Sequence, residues 1–168
     1  MSIGIGLIAG GMGFLAADTM AAGDDGNART DSTKIFRVHD GYIAYSGDIP
    51  SGQRLVALLK KYQSPELIPS DEKPKSFNAE ALWLSPGPKL TMIQCDFSTL
   101  PILRPAFFAI GCGDSYALGA LSAIVGIRGE GLKIMSPDIA IRTIRDAMHI
   151  VFTWNKHCGG RIKIKTVG

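Results

Sequence analysis

No stretch of this 168-residue chain approaches the roughly 18 consecutive apolar residues that span a bilayer. The apolar start at Ile3 to Leu7 is short, glycine-rich and without a basic leader, so it is not expected to be a signal peptide. Cysteine is scarce: Cys95, Cys112 and Cys158 form no CxxC pair of the metal-binding kind. An odd number of cysteines with no secretory signal points to a reducing, cytoplasmic setting. His39, His149 and His157 show no metal-ligand spacing. Neither a metal nor another cofactor is therefore expected. The net charge of +3 argues for neither a nucleic-acid nor a membrane-surface partner.

What the chain has is apolar residues and glycine. It is 46% hydrophobic with a mean hydropathy of +0.16. One domain spanning 1–168, able to bury a substantial core, is expected. Its 20 glycines fall mainly at strand ends, where turns and close backbone approach need them.

Two short apolar runs, Ile3 to Ala9 and Phe14 to Ala17, flank Gly10-Gly11 and read as a hairpin. A polar loop follows Asp18. Lys34 to Val38 and Tyr42 to Tyr45 flank His39-Asp40-Gly41 and make a second hairpin. Leu55, Leu58 and Leu59 lie at helical spacing in Ser51 to Tyr62. Ser64 to Phe77 carries Pro65, Pro69 and Pro74 and reads as a loop. Ala79 to Leu84 and Leu90 to Gln94 form a third hairpin around Ser85-Pro86-Gly87-Pro88. Phe107 to Ile110 is a strand leading into a helix. Ser136-Pro137-Asp138 caps another helix that runs to about Trp154, and Arg161 to Val167 is a last strand. By themselves these elements give an α+β fold with antiparallel sheets.

Polar residues stand at three points of the first part: Ser2, Asp18 at a strand end, and Lys34 at a strand start. Removal of Met1, favoured before a small residue, would give Ser2 both a hydroxyl and a free α-amine. An α-amine has a pKa of about 8 and can serve as a base near neutral pH. A Lys ammonium nearby would favour the neutral amine, and a carboxylate would hold that Lys. The alternative is an initiator dipeptide, a turn Asp and a surface Lys.

The spacing and its flanks resemble one family. "LAAD" ends at Asp18, "KIFRV" begins at Lys34, and sixteen residues separate Ser2 from Asp18 and Asp18 from Lys34. This pattern is similar to the proteasome β-type peptidases, including the bacterial HslV-type peptidase, among the N-terminal-nucleophile (Ntn) hydrolases. "AIGCGDSYALGAL" resembles a further family passage, in which a Ser stands where Cys112 stands here. Asn155 and Cys158 occupy the Asp and Ser positions of the family's "D-x-x-S-G-G" stretch. Cys112 also admits a reading as nucleophile, but no His stands at an obvious partner position; a small apolar filler is the commoner role.

The resemblance implies a four-layer αββα sandwich and a peptidase acting on unfolded polypeptide. Ser2 would be the nucleophile, Asp18 and Lys34 its electrostatic partners, and the Gly47 N–H the oxyanion donor. Cys112, Asn155 and Cys158 would support the terminal amine, each departing from the family's residue. It also implies a homo-oligomeric ring and, as a separate partner, an ATPase unfoldase. Trp83, Phe107, Phe108, Phe152 and Trp154 are candidates for subunit contacts as well as core. Two alternatives remain open at this point: a catalytically inactive structural subunit, and a small-molecule amidohydrolase on the same fold.

Overall fold

The computed structural model describes residues 2–22, 28–29, 32–74, 77–103, 106–128 and 131–168. Met1, whose removal is expected above, lies outside them, as does part of the loop after Asp18. Strands β1 (Ile3–Ala9) and β2 (Met12–Asp18) form the first hairpin. Its turn residues Gly10 and Gly11 both have positive φ, 56° and 75°, as a tight two-residue turn requires. The loop beyond Asp18 contains a small antiparallel pair, β3 (Ala21–Ala22) and β4 (Ala28–Arg29), which the sequence pattern did not signal. Next come β5 (Ile35–Val38), β6 (Gly41–Gly47) and helix α1 (Ile49–Tyr62). Helix α1 begins two residues before its expected start because Asp48 caps it, accepting the Ser51 N–H at 2.7 Å, with Pro50 in the first turn. A 3-10 turn, Pro65–Leu67, interrupts the proline-rich loop.

Strands β7 (Ala79–Ser85) and β8 (Lys89–Ile93) form the third hairpin. A further short strand, β9 (Thr99–Pro101), escapes the pattern reading, being three residues long at a sheet edge and ending in proline. Strand β10 (Phe107–Gly111), helices α2 (Asp114–Arg128) and α3 (Pro137–Trp154), and strand β11 (Ile162–Val167) complete the chain. Ser136 caps α3 as its sequence predicts.

One sheet has the order β10-β1-β2-β11, the other β5-β6-β7-β8-β9, and neighbours within each are antiparallel. Alternation along β2 shows how they stack. Leu15 and Ala17 face the second sheet, in a buried layer with Ala44, Leu82, Leu84 and Ile110. Phe14 and Ala16 face the other way, against Leu121 of α2 and Ile144, Met148 and Val151 of α3. On the far side, Leu55 and Leu59 of α1 cover Val38, Ile43 and Ala81 of the second sheet. This is the four-layer αββα order. Glycine in β1 lets the sheets approach: a β-carbon on Gly6 would meet the Leu90 side chain at 2.5 Å.

Among the five large aromatics named above, Phe107 is buried in the helix-facing core, and Trp83, Phe108 and Phe152 pack half-buried against the cores. Trp154 alone of these stands exposed, at 70%.

Candidate active site

The end of β2 and the approach to β5 bring two charges together. Lys34 Nζ lies 2.6 Å from Asp18 Oδ1, and both residues are buried. The pair is fully furnished with partners. Lys34 Nζ also donates to the Met20 carbonyl, Asp18 Oδ1 accepts the Ile3 N–H at 3.1 Å, and Asp18 Oδ2 accepts the Gly159 N–H at 3.1 Å. A buried ion pair holds when such bonds replace lost water; otherwise its desolvation cost dominates. Because Asp18 grips the N–H of Ile3, the ion pair is tied to the residue that follows Ser2.

Ser2 is itself buried, and its Oγ donates to Ser46 Oγ at 2.9 Å. Ser46 is the penultimate residue of β6, just before Gly47, and is the partner that the motif reading missed. The signal was a hydroxyl next to the glycine corner. Gly111 packs tightly against the same place: a β-carbon on it would fall 2.1 Å from the Ser2 carbonyl oxygen and 2.7 Å from Ser46 Oγ. Its φ of 97° independently favours glycine. The Gly111 N–H donates to Glu80 Oε1 at 2.7 Å. Glu80 is a second missed residue, visible in the sequence only as an acid inside the otherwise apolar start of β7.

Gly47 ends β6 with φ 124°, and a β-carbon there would meet the Asn78 carbonyl oxygen at 2.2 Å. Asp48, next in the chain, donates its N–H to the same carbonyl at 2.9 Å. The corner between β6 and α1 is thereby fixed. It borders an open cavity of about 540 Å³ lined by Ser46, Gly47, Asp48, Asn78, Ala79, Glu80, Met92, Gln94, Cys95, Gly111 and Cys112. Three of these, Ser46, Gly111 and Cys112, touch Ser2.

Cys112, Asn155 and Cys158 meet on the same side of Ser2. Cys112 Sγ donates to the Ser2 carbonyl at 3.6 Å and lies 3.5 Å from Cys158 Sγ. Asn155 Nδ2 donates to the Cys112 carbonyl at 2.6 Å, and Asn155 Oδ1 accepts the His157 N–H at 3.0 Å. This gives the Asn a positive reason: a carboxylate at 155 has no proton to offer the Cys112 carbonyl. Burial pushes the Cys158 thiol up, with Cys112 and Asp18 adding to the shift and Lys34 partly opposing it. All seven residues singled out by sequence thus belong to one neighbourhood. Among the described residues, no group of His, Cys, Asp and Glu side chains is arranged to hold a metal ion, and no helix is long and apolar enough to cross a membrane.

No protein-family model and no curated protein matches the chain by sequence. Solved structures do match. Eukaryotic HslV from Trypanosoma brucei superposes with a TM-score of 0.77 over 98% of this chain and 98% of that one, at 15% identity. Thiobacillus denitrificans BPH in complex with epoxomicin gives a TM-score of 0.74, covering 99% and 98% at 16% identity. A second structure of Thiobacillus denitrificans BPH gives 0.72, covering 99% and 97% at 16% identity. Likeness at these identities shows a shared fold, and the sandwich expected from the resemblance is the one present.

Proposed function

We propose that the chain is an Ntn peptidase that cleaves unfolded polypeptide with Ser2 as its nucleophile, once Met1 has been removed. The observation that carries this reading is the buried, fully bonded Lys34–Asp18 pair. It is tethered to Ile3, the residue after a buried hydroxyl whose neighbours line an open cavity. An ion pair of that kind is costly to keep in a core, and its position beside the chain start gives it a use.

Ser2 Oγ attacks the substrate carbonyl carbon, and the Ser2 α-amine takes the hydroxyl proton. The positive charge of Lys34 favours the neutral, basic form of that amine, and Asp18 fixes Lys34. The Gly47 N–H stabilises the oxyanion. The amine then passes its proton to the leaving nitrogen, leaving a Ser2 ester. Water, deprotonated by the same amine, hydrolyses the ester and frees the enzyme. Ser2→Ala is expected to stay folded and lose all cleavage of fluorogenic peptides, and unchanged turnover would overturn the assignment. Incubation with epoxomicin, followed by intact-mass measurement, adds a second readout: the wild-type chain lacking Met1 gains the adduct and Ser2→Ala does not.

A non-catalytic subunit is the competing reading, and one observation favours it. Both ends of the Asn155 amide are spent on Cys112 and His157, where the resembling family has a charged Asp. The mass of the native N-terminus separates the two, since a retained Met1 blocks the amine. For either reading we propose a closed homo-oligomeric ring, with exposed Trp154 among its contacts and any unfolding done by a separate ATPase. A sedimentation mass near one 17.9 kDa chain at micromolar concentration would reject the ring.

A further inference from the structure

We propose that Cys112 and Cys158 are a redox-active dithiol, which a low-molecular-weight disulfide converts into an intrachain bridge directly behind Ser2. The two sulfurs already lie 3.5 Å apart, so a bond of about 2.05 Å requires them to close by roughly 1.5 Å. They belong to segments far apart in sequence, the turn after β10 and the loop after α3, which Asn155 holds in register through the Cys112 carbonyl. Their environments divide the work. Cys112 is exposed on the 540 Å³ cavity, where a small disulfide can reach it, whereas Cys158 is 4% exposed. Burial also keeps Cys158 protonated, which leaves Cys112 as the first thiol to attack.

The Cys112 thiolate attacks one sulfur of the small disulfide, forming a mixed disulfide and expelling one thiolate. The expelled thiolate takes the Cys158 proton, and Cys158 Sγ attacks Cys112 Sγ, expelling the second thiolate. Two protein thiols are oxidised, and one small disulfide is reduced to two thiols. The product has no S–H, so the Ser2 carbonyl loses the donor that Cys112 supplies. Because Gly159, beside Cys158, donates to Asp18, closure also bears on the ion pair. The effect on turnover rests on the proposed peptidase reading, while formation of the bridge does not.

The test uses the full chain treated with oxidised glutathione at mildly alkaline pH, then blocked with an alkylating agent and digested without reduction. A Cys112–Cys158 linked peptide is expected, with an intact mass before blocking lower by two hydrogens wherever Cys95 stays free, reversed by dithiothreitol. A Cys95→Ser chain should form the same link. Cys158→Ser should stop at a stable glutathione adduct on Cys112. A wild-type chain that also stops at that adduct, or links Cys95 to Cys112, overturns the proposal. Turnover of fluorogenic peptide should fall about twofold to fivefold in the bridged form, the size of one lost hydrogen bond of about 0.5–1 kcal/mol, and return on reduction. Unchanged turnover in the bridged form would remove the regulatory role. If reduced and bridged chains are both inactive towards peptides, the peptidase reading fails and the mass data alone judge the bridge.

Discussion

Two unlike sets of groups adjoin Ser2. On one side are Asp18 and Lys34, charged, buried and bonded at every described oxygen and at Nζ. On the other are Cys112, Asn155 and Cys158, neutral groups that include two sulfurs at long hydrogen-bonding distances. The first set is electrostatically strong and intolerant, because removing either member leaves an uncompensated charge in the core. The second is held by weaker bonds and can be altered chemically without stranding a charge. A site with both has a fixed electrostatic frame and an adjustable backing.

The largest effect should come from breaking the charged side. Lys34→Ala leaves Asp18 buried without its cation and is expected to cost about 3–5 kcal/mol. At 2–4 °C per kcal/mol that lowers Tm by roughly 10 °C, with loss of the proposed peptidase activity. Lys34→Arg keeps the charge, but its planar fork does not fit a site built around one compact ammonium. That variant should be folded and inactive. An active Lys34→Arg chain would show that this side is less exacting than the neutral one.

Asn155→Asp should have an intermediate effect. Its carboxylate faces the Cys112 carbonyl without a proton to donate, for a loss of about 1 kcal/mol near neutral pH in denaturant unfolding. Facing that carbonyl raises the new carboxyl's folded pKa above its unfolded value of about 3.9. The deficit against wild type should therefore be absent below the unfolded pKa, where both states are protonated, and grow as pH rises through the folded pKa. A deficit independent of pH would mean that the Asn155–Cys112 bond is not what matters.

The smallest effect is expected from Cys112→Ser. A hydroxyl is a stronger donor than a thiol. Better positioning of the Ser2 carbonyl, worth about 0.5 kcal/mol, should raise kcat/KM about twofold. A fall would indicate that the sulfur is preferred on that side.

The charged side was legible through the spacing and flanks that Asp18 and Lys34 share with the resembling family; their residue types alone would have read as a turn Asp and a surface Lys. The helix and hairpin pattern was legible for a more local reason: Gly10-Gly11 and Ser136 carry local turn or capping chemistry, whereas the Asp48 cap went unread and α1 starts two residues before its expected start. Ser46 and Glu80 were not legible, since each matters only through a partner brought up by tertiary packing, Ser2 in one case and Gly111 in the other. The reason for Asn155 was also hidden. From the sequence it is a missing charge, and only the fold reveals the carbonyl it serves. Strand β9 lacked both length and alternation.

The pairing of β2 with β11 has a consequence for how the protein comes into being. Asp18 is opposite Ile162 in that ladder, and its second oxygen waits for an N–H 141 residues further on. During synthesis β2 remains an edge strand, and the Asp18 carboxylate remains short of one donor, until the last part of the chain has emerged and closed a very long loop. Most of the polypeptide can be made, and the second sheet assembled, while the first sheet is still one strand short. The charged frame around Ser2 thus lacks one of its bonds, the one from Gly159, until β11 is in place beside β2.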